Sequence, residues 1–122
     1  MNSREGLARE LLSTLAPDSV LATREELLPY ECDGLSAYRE TPLVAAIPVS
    51  ESEVAAVIGV ARETKTPVVA RGSGTGLSGG ALPLADGILL SLARFNGIVA
   101  VDPLARTARR SEERRVGKEC RL

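Results

Sequence analysis

The N-terminal hydrophobic pattern is helical. Leu7, Leu11 and Leu15 recur at four-residue spacing with Leu12 beside them, among Arg4, Glu5, Arg9 and Glu10. Residues 2–15 therefore predict one amphipathic helix, capped by Asn2 or Ser3 and stopped by Ala16-Pro17-Asp18. After the short apolar piece Val20-Leu21, Thr23 and Glu26 stand at capping-box spacing, and Pro29 closes the turn they open. Leu43 to Val49 is an apolar run bracketed by Pro42 and Pro48, which predicts a buried strand. Ser50-x-x-Glu53 is a second capping box, and Val54, Val57, Ile58 and Ala61 form the apolar stripe of a helix ending near Thr64. Val68-Val69-Ala70 is the next strand. Strand, helix and strand in succession is the pattern of a parallel crossover, so the expected class is α/β (α+β), a small parallel βαβ sheet flanked by helices. Two further strand-like runs, Gly87–Leu92 and Ile98–Asp102, flank Asn96-Gly97, a dipeptide that favours a two-residue hairpin turn; Asp86-Gly87 is a turn of the same chemistry.

Between the last two groups of strands lies PVVARGSGTGLSGGALP, residues 67–83, with five glycines at Gly72, Gly74, Gly76, Gly79 and Gly80. Glycine at this density permits positive φ and close approach of the backbone to another group. Successive N–H groups can then converge into a nest for an anion such as a diphosphate. Ser73, Thr75 and Ser78 add hydroxyl donors, and Arg71 at the entrance is a charge partner or a structural clamp. A flexible Gly/Ser linker is the competing reading, but linkers are seldom framed by strand-like apolar segments and a proline. Gly74-x-Gly76-x-x-Gly79 formally matches the dinucleotide fingerprint, with Asp102 as a ribose acid, yet that fingerprint needs its third glycine to open a helix. Gly80 and then Pro83 stand where that helix would form. A Walker A loop is excluded because the chain has no Gly-Lys-Ser/Thr triplet.

The residues from Arg71 to Ala81 resemble the flavin diphosphate loop of the PCMH-type (vanillyl-alcohol oxidase) FAD-linked oxidases. Within that family the resemblance is greatest to the FAD-binding subunits of glycolate oxidases, which are D-2-hydroxy-acid dehydrogenases. It extends to Pro29–Arg39 and Leu92–Phe95 and covers about Glu26 to Arg109. The resemblance implies an FAD cofactor, with Arg71 at the loop entrance and Gly72, Ser73, Gly74, Thr75 and Gly76 on the diphosphate. It also implies that Leu77, Ser78, Gly79 and Gly80 shape the approach to the ribityl chain. Relatives with covalent flavin carry a histidine where Thr75 stands, so the flavin is expected to be non-covalent. The implied substrate is a small 2-hydroxy acid, glycolate or D-lactate, oxidised to the 2-oxo acid. The implied partners are a second flavin-domain subunit and an iron–sulfur subunit, with electrons passing to the membrane's quinone pool. Residues 30–39 are read either as a segment near the flavin or as a connecting loop in which Asp33 caps a turn and Cys32 is packed.

Composition narrows the remaining possibilities. At 122 residues and 44% hydrophobic content the chain holds one modest core, and with aromatics at 2% that core is aliphatic. A net charge of −1 gives no electrostatic footprint for nucleic acid. Cys32 and Cys120 have neither metal-ligand spacing nor a disulfide framework. No stretch has the length and apolarity of a membrane span, and the N-terminus lacks a signal-peptide pattern, so the cytoplasm is expected, with membrane association through partner subunits. The chain contains no histidine, the commonest base for taking a hydroxyl proton, and no catalytic residue or metal ligand is assigned.

From Arg110 the character changes. RSEERRVGKECRL carries eight charges in thirteen residues and resembles the translation of a widely used sequencing-adapter oligonucleotide. The expected organisation is an N-terminal helical and loop segment at 1–41, a partial PCMH-type FAD-binding domain at 42–109 and a non-native tail at 110–122. On that basis the chain is an amino-terminal, truncated fragment of an oxidoreductase, itself expected to turn over little or nothing. A non-catalytic nucleotide-binding module and an inactive fragment are the alternatives.

Overall fold

The computed structural model describes residues 3–31, 38–72, 79–95, 97–110 and 120–121. The first helix, α1 (Arg4–Leu12), is capped by Ser3, whose Oγ accepts the Gly6 N–H at 3.1 Å. A 3-10 turn at Pro17–Ser19 leads into β1 (Val20–Leu21), and α2 (Arg24–Leu27) runs into a second 3-10 turn at Leu28–Tyr30. Strand β2 (Val44–Ala46), helix α3 (Glu51–Thr64), strand β3 (Val68–Arg71) and strand β4 (Ile88–Ser91) complete the first layer. The second sheet holds β5 (Ile98–Asp102), β6 (Thr107–Arg110) and β7 (Cys120–Arg121).

The fold is α/β. In the first sheet the order is β1-β2-β4-β3, with β2, β4 and β3 parallel and β1 antiparallel at the edge. The expected strand–helix–strand unit is present, but β4 inserts between its two strands. Side chains on successive strand residues point to opposite faces, and the sheet obeys this throughout. Val44, Ala46, Ile88 and Leu90 face α1 and α3, where they pack with Leu7, Leu11, Val57, Val60 and Ala61. Ala45 and Leu89 face the other way onto Leu27, with Leu21, Tyr30 and Val69 beside them. The face toward α1 and α3 holds the main core, and the opposite face is thinly covered by α2 and the turn after it.

Three local expectations are refined. Leu12 lies 46% exposed, because α1 ends there and Leu15 reaches the core from beyond the helix. In α3 the buried stripe is Val57, Val60 and Ala61, and Ile58 points outward. The Ser50 cap accepts from Glu53 N–H at 3.3 Å as expected, but the Glu53 carboxylate accepts from Val49 rather than closing on Ser50. The C-terminus of α3 is built on Lys65, left-handed at φ 54°. The Thr66 N–H reaches Ala61 O at 2.8 Å and the Lys65 N–H reaches Arg62 O at 3.4 Å, the two bonds of a Schellman closure.

The hairpin expected across Asn96-Gly97 does not form; Asn96 itself lies outside the described residues. β4 is bonded on both sides, to β2 and β3, so it has no free edge for β5. β5 instead pairs antiparallel with β6 across a turn in which Arg106 takes φ 56° and Asp102 Oδ1 accepts the N–H groups of Leu104 and Ala105 at 3.1 Å. Cys120–Arg121 pair with β6 through backbone groups, which any sequence can supply. Ile98, Val101 and Leu104 of this second sheet and its turn are exposed, and Ala108 is buried.

Candidate functional site

The three parallel strands end together. Arg71 at the end of β3 is in register with Ser91 at the end of β4, and Ala46 of β2 is aligned with Leu90. Open α/β sheets bind ligands at these carboxyl ends, and the glycine-rich segment leaves the sheet here. The Leu92 N–H donates to Arg71 O at 2.9 Å, extending the ladder past the last strand residue and fixing the backbone at the loop's entrance.

Arg71 and Gly72 are half-buried at this rim. Ser73, Gly74, Thr75, Gly76, Leu77 and Ser78 lie outside the described residues, so the structure positions only the two ends of the expected loop. On the return side Gly79 adopts φ +79°, the left-handed region that glycine enters without strain, and the Leu82 N–H closes a turn on Gly79 O at 3.1 Å. Among the described residues, a Cβ built on Gly79 or Gly80 would meet nothing within 4 Å. The chain then runs through the buried Pro83 to Gly87, whose Cβ position is 2.9 Å from the Pro67 carbonyl oxygen, a backbone approach that only glycine allows.

Two side chains outside the expected set organise the rim. The Arg71 guanidinium lies over the Tyr30 ring, 5.4 Å from its centre, so the start of the polar segment at 30–39 lies against the loop entrance. Tyr30 therefore favours the reading of that segment as a neighbour of the loop, while Cys32 and Asp33 lie outside the described residues. Arg94, just beyond β4, donates to Ser19 Oγ at 2.9 Å and to Asp18 O at 3.1 Å, with the Asp18 carboxylate 3.7 Å away. It ties the end of β4 to the turn before β1. Arg94 sits in a stretch that carries the family resemblance, but its partners are too distant in sequence to be read from it.

A cation at the entrance, a positive-φ glycine at the exit and the carboxyl ends of parallel strands together fit an anionic cofactor. Among the described residues no group of three or more His, Cys, Asp or Glu side chains is arranged to hold a metal ion, and no helix is long and apolar enough to cross a membrane.

The fold and this rim define an α/β domain that receives its ligand on a glycine loop. A family model described as FAD binding domain matches residues 42–111, and the chain belongs to that family. It is 53% identical over 90 residues to the glycolate oxidase subunit GlcD of Escherichia coli K12, covering 74% of this chain and 18% of that protein. It is 35% identical over 94 residues to the D-lactate dehydrogenase of Anaerostipes hadrus, covering 76% of this chain and 20% of that one. The chain thus spans about a fifth of the length of these curated relatives. Among solved structures, 4-ethylphenol oxidase from Gulosibacter chungangensis superposes with a TM-score of 0.74 at 20% identity, over 85% of this chain and 21% of that one. p-Cresol methylhydroxylase gives 0.69 at 24% identity, over 85% and 21%. These likenesses are of fold, and they match the expected PCMH-type architecture.

Proposed function

We propose that this chain supplies the FAD diphosphate-binding part of an oxidoreductase that converts a small 2-hydroxy acid, glycolate or D-lactate, to its 2-oxo acid. The observation that carries the reading is the glycine loop leaving the carboxyl end of β3 in a chain of the FAD binding domain family. In this reading Gly72 to Gly76 hold the diphosphate through backbone N–H groups, with Ser73 and Thr75 hydroxyls as further donors and Arg71 supplying charge. Leu77 to Gly80 shape the approach to the ribityl chain. FAD held there supplies a two-electron acceptor for the hydrogen on the substrate's α-carbon. Thr75 has no nitrogen with which to bond the flavin, so the cofactor is held non-covalently and leaves the protein on acid precipitation.

The choice of glycolate or D-lactate rests on what the two relatives are named for. The chain has no histidine, the commonest base for taking a hydroxyl proton, and the base and carboxylate-binding groups are assigned in this reading to the rest of the complete enzyme. A second flavin-domain subunit and an iron–sulfur subunit would carry electrons onward, bringing a cytoplasmic protein to the membrane. Residues 110–122 are read as a non-native tail from their sequence alone; sequencing of the locus across codon 109 tests this, and a frame that continues into the rest of a flavin domain supports it.

The decisive experiment has two arms. FAD is titrated into the chain, and the full reading frame containing it is assayed for glycolate- and D-lactate-dependent reduction of a dye. FAD binding with dye reduction on either acid supports the reading. Binding without turnover by the full frame favours the non-catalytic module, and failure of FAD to bind either protein overturns the cofactor assignment. The chain alone, with the apolar Ile98, Val101 and Leu104 exposed, is expected to show no turnover.

A further inference from the structure

We infer that Ser91 is an FAD-binding residue whose hydroxyl donates a hydrogen bond to an acceptor atom of the cofactor; this rests on the reading of the chain as an FAD binder and on the strand ends alone. Ser91 closes β4, the central one of the three parallel strands, at the carboxyl end where such sheets receive ligands. It is 1% exposed, so its hydroxyl is out of water and depends on partners in the protein or on a ligand. The oxygen accepts the Ala93 N–H at 3.4 Å, and among the described residues the hydroxyl has no acceptor for its own hydrogen. Ser19 and Thr66, also buried, are held more closely: Ser19 Oγ takes a bond of 2.9 Å from Arg94, and the Thr66 hydroxyl lies 2.7 Å from that of Thr64. A buried donor left without an acceptor costs about 1–3 kcal/mol. Ser91 is placed to recover that cost when an acceptor arrives at the strand end.

Three features turn the hydroxyl toward that end. Ile88 and Leu90 face α1 and α3, so alternation places Ser91 on the opposite face, one step beyond Leu89. The bond from Ala93, two residues further on, leans the Ser91 side chain forward along the chain, past the last residue of the strand. On the β2 side the ladder stops at Ala46 opposite Leu90, and the next N–H, that of Ile47, turns away to Ser19 O at 2.7 Å. Among the described residues, no ladder residue of β2 therefore stands opposite Ser91. On the β3 side the ladder continues, because the Leu92 N–H bonds Arg71 O at 2.9 Å, and this fixes the backbone of Ser91. A donor held in place before the cofactor arrives gives up little freedom on binding it. FAD supplies the matching acceptors in its diphosphate oxygens and in the carbonyls and nitrogens of its rings.

The test is titration of the chain with FAD, FMN and ADP, beside thermal melts without any of them. Ser91→Ala should raise the FAD Kd roughly three- to tenfold. Its melt without cofactor should stay at or above that of the unsubstituted chain, because a buried donor without an acceptor has been removed. Ser91→Cys, close in size but a weak donor, should weaken FAD binding as Ser91→Ala does, and it carries the test if the alanine variant does not fold. A loss shared by FMN alone supports an acceptor on the flavin half, one shared by ADP alone supports the adenosine half, and one shared by both supports a phosphate. A loss for FAD shared by neither would show an indirect effect of packing and overturn the inference. A lowered cofactor-free melt in both variants would overturn it too, since the hydroxyl would then already be bonded within the protein. If the unsubstituted chain binds no FAD, the reading of the chain as an FAD binder fails and takes this inference with it. If it binds FAD and both variants bind equally well, only the role of Ser91 fails.

Discussion

Arg94 and Ser19 meet at 2.9 Å across 75 positions of sequence, and the Ser19 hydroxyl is almost wholly buried. The same guanidinium reaches Asp18 O, so one side chain satisfies two acceptors at the turn that starts β1. Arg94→Met keeps much of the stem and removes both donors. Leaving a buried acceptor without its donor costs about 1–3 kcal/mol, so the urea midpoint should fall accordingly. Ser19→Ala should lower it less, because that change removes the acceptor together with its need for a partner. Equal midpoints for Arg94→Met and the unsubstituted chain would show that the contact is incidental.

Two glycines should respond in opposite directions to alanine. A methyl at Gly87 would sit 2.9 Å from Pro67 O, 3.3 Å from Leu84 Cβ and 3.4 Å from Pro67 Cγ, and the first of these is backbone that cannot rotate away. Gly87→Ala should cost about 1–3 kcal/mol as the strand start is pushed apart. Gly59 lies within α3 and, among the described residues outside its own helix backbone, nothing lies within 4 Å of its Cβ position, so Gly59→Ala should stabilise by about 0.5–1 kcal/mol through lost unfolded-state freedom. Thermal melts of the two variants side by side check the signs. A Gly87→Ala melt at or above that of the unsubstituted chain would mean that Pro67 gives way.

Local signals were legible where one short segment decides the structure. Thr23 and Glu26 form their capping box in full, Ser50 caps α3, and the alternation of β2 and β4 is the apolar run seen in the sequence. The hairpin at Asn96-Gly97 was misread because a turn dipeptide reports local preference, whereas the pairing of β4 was decided by β2 and β3 on its two edges. Ile58 and Val60 were exchanged in the α3 stripe because both fit a helical period, and the direction of the sheet chose between them. At the candidate site the loop's position at a strand end was readable from glycine density. The contacts of Tyr30 with Arg71 and of Arg94 with Ser19 were not, since each joins residues that only the sheet brings together.

Lys65 holds a backbone conformation that suits glycine. Its φ of 54° closes α3, and its own N–H and that of Thr66 are spent on the helix's last carbonyls. A side chain in this region costs about 1–2 kcal/mol, part of which glycine returns as greater freedom in the unfolded chain. Lys65→Gly should therefore stabilise by about 0.5–1 kcal/mol. Lys65→Val, branched at Cβ, should destabilise. Denaturant midpoints of the pair test the assignment, and a Lys65→Gly midpoint below the unsubstituted one would sink it.

The capping box at α2 should make stability depend on pH. Glu26 Oε1 accepts from Thr23 Oγ1 at 2.8 Å and from the Thr23 N–H at 3.2 Å. The Thr23 side-chain bond, followed by its backbone bond, holds the carboxyl below its ordinary value of about 4.5 in the folded chain. Because the folded value is the lower one, the charged group contributes stability above the ordinary glutamate range. That contribution is lost as pH falls through the lowered folded value, and below it both states carry the proton. Glu26→Gln preserves the shape and hydrogen-bonding reach of the side chain but holds no charge. The gap in denaturant midpoint between the parent and Glu26→Gln should be greatest at neutral pH and should close on acidification below about 4.5. A gap that stays constant down to pH well below that range would mean that the carboxylate charge plays no part and that only the side chain's shape holds the cap.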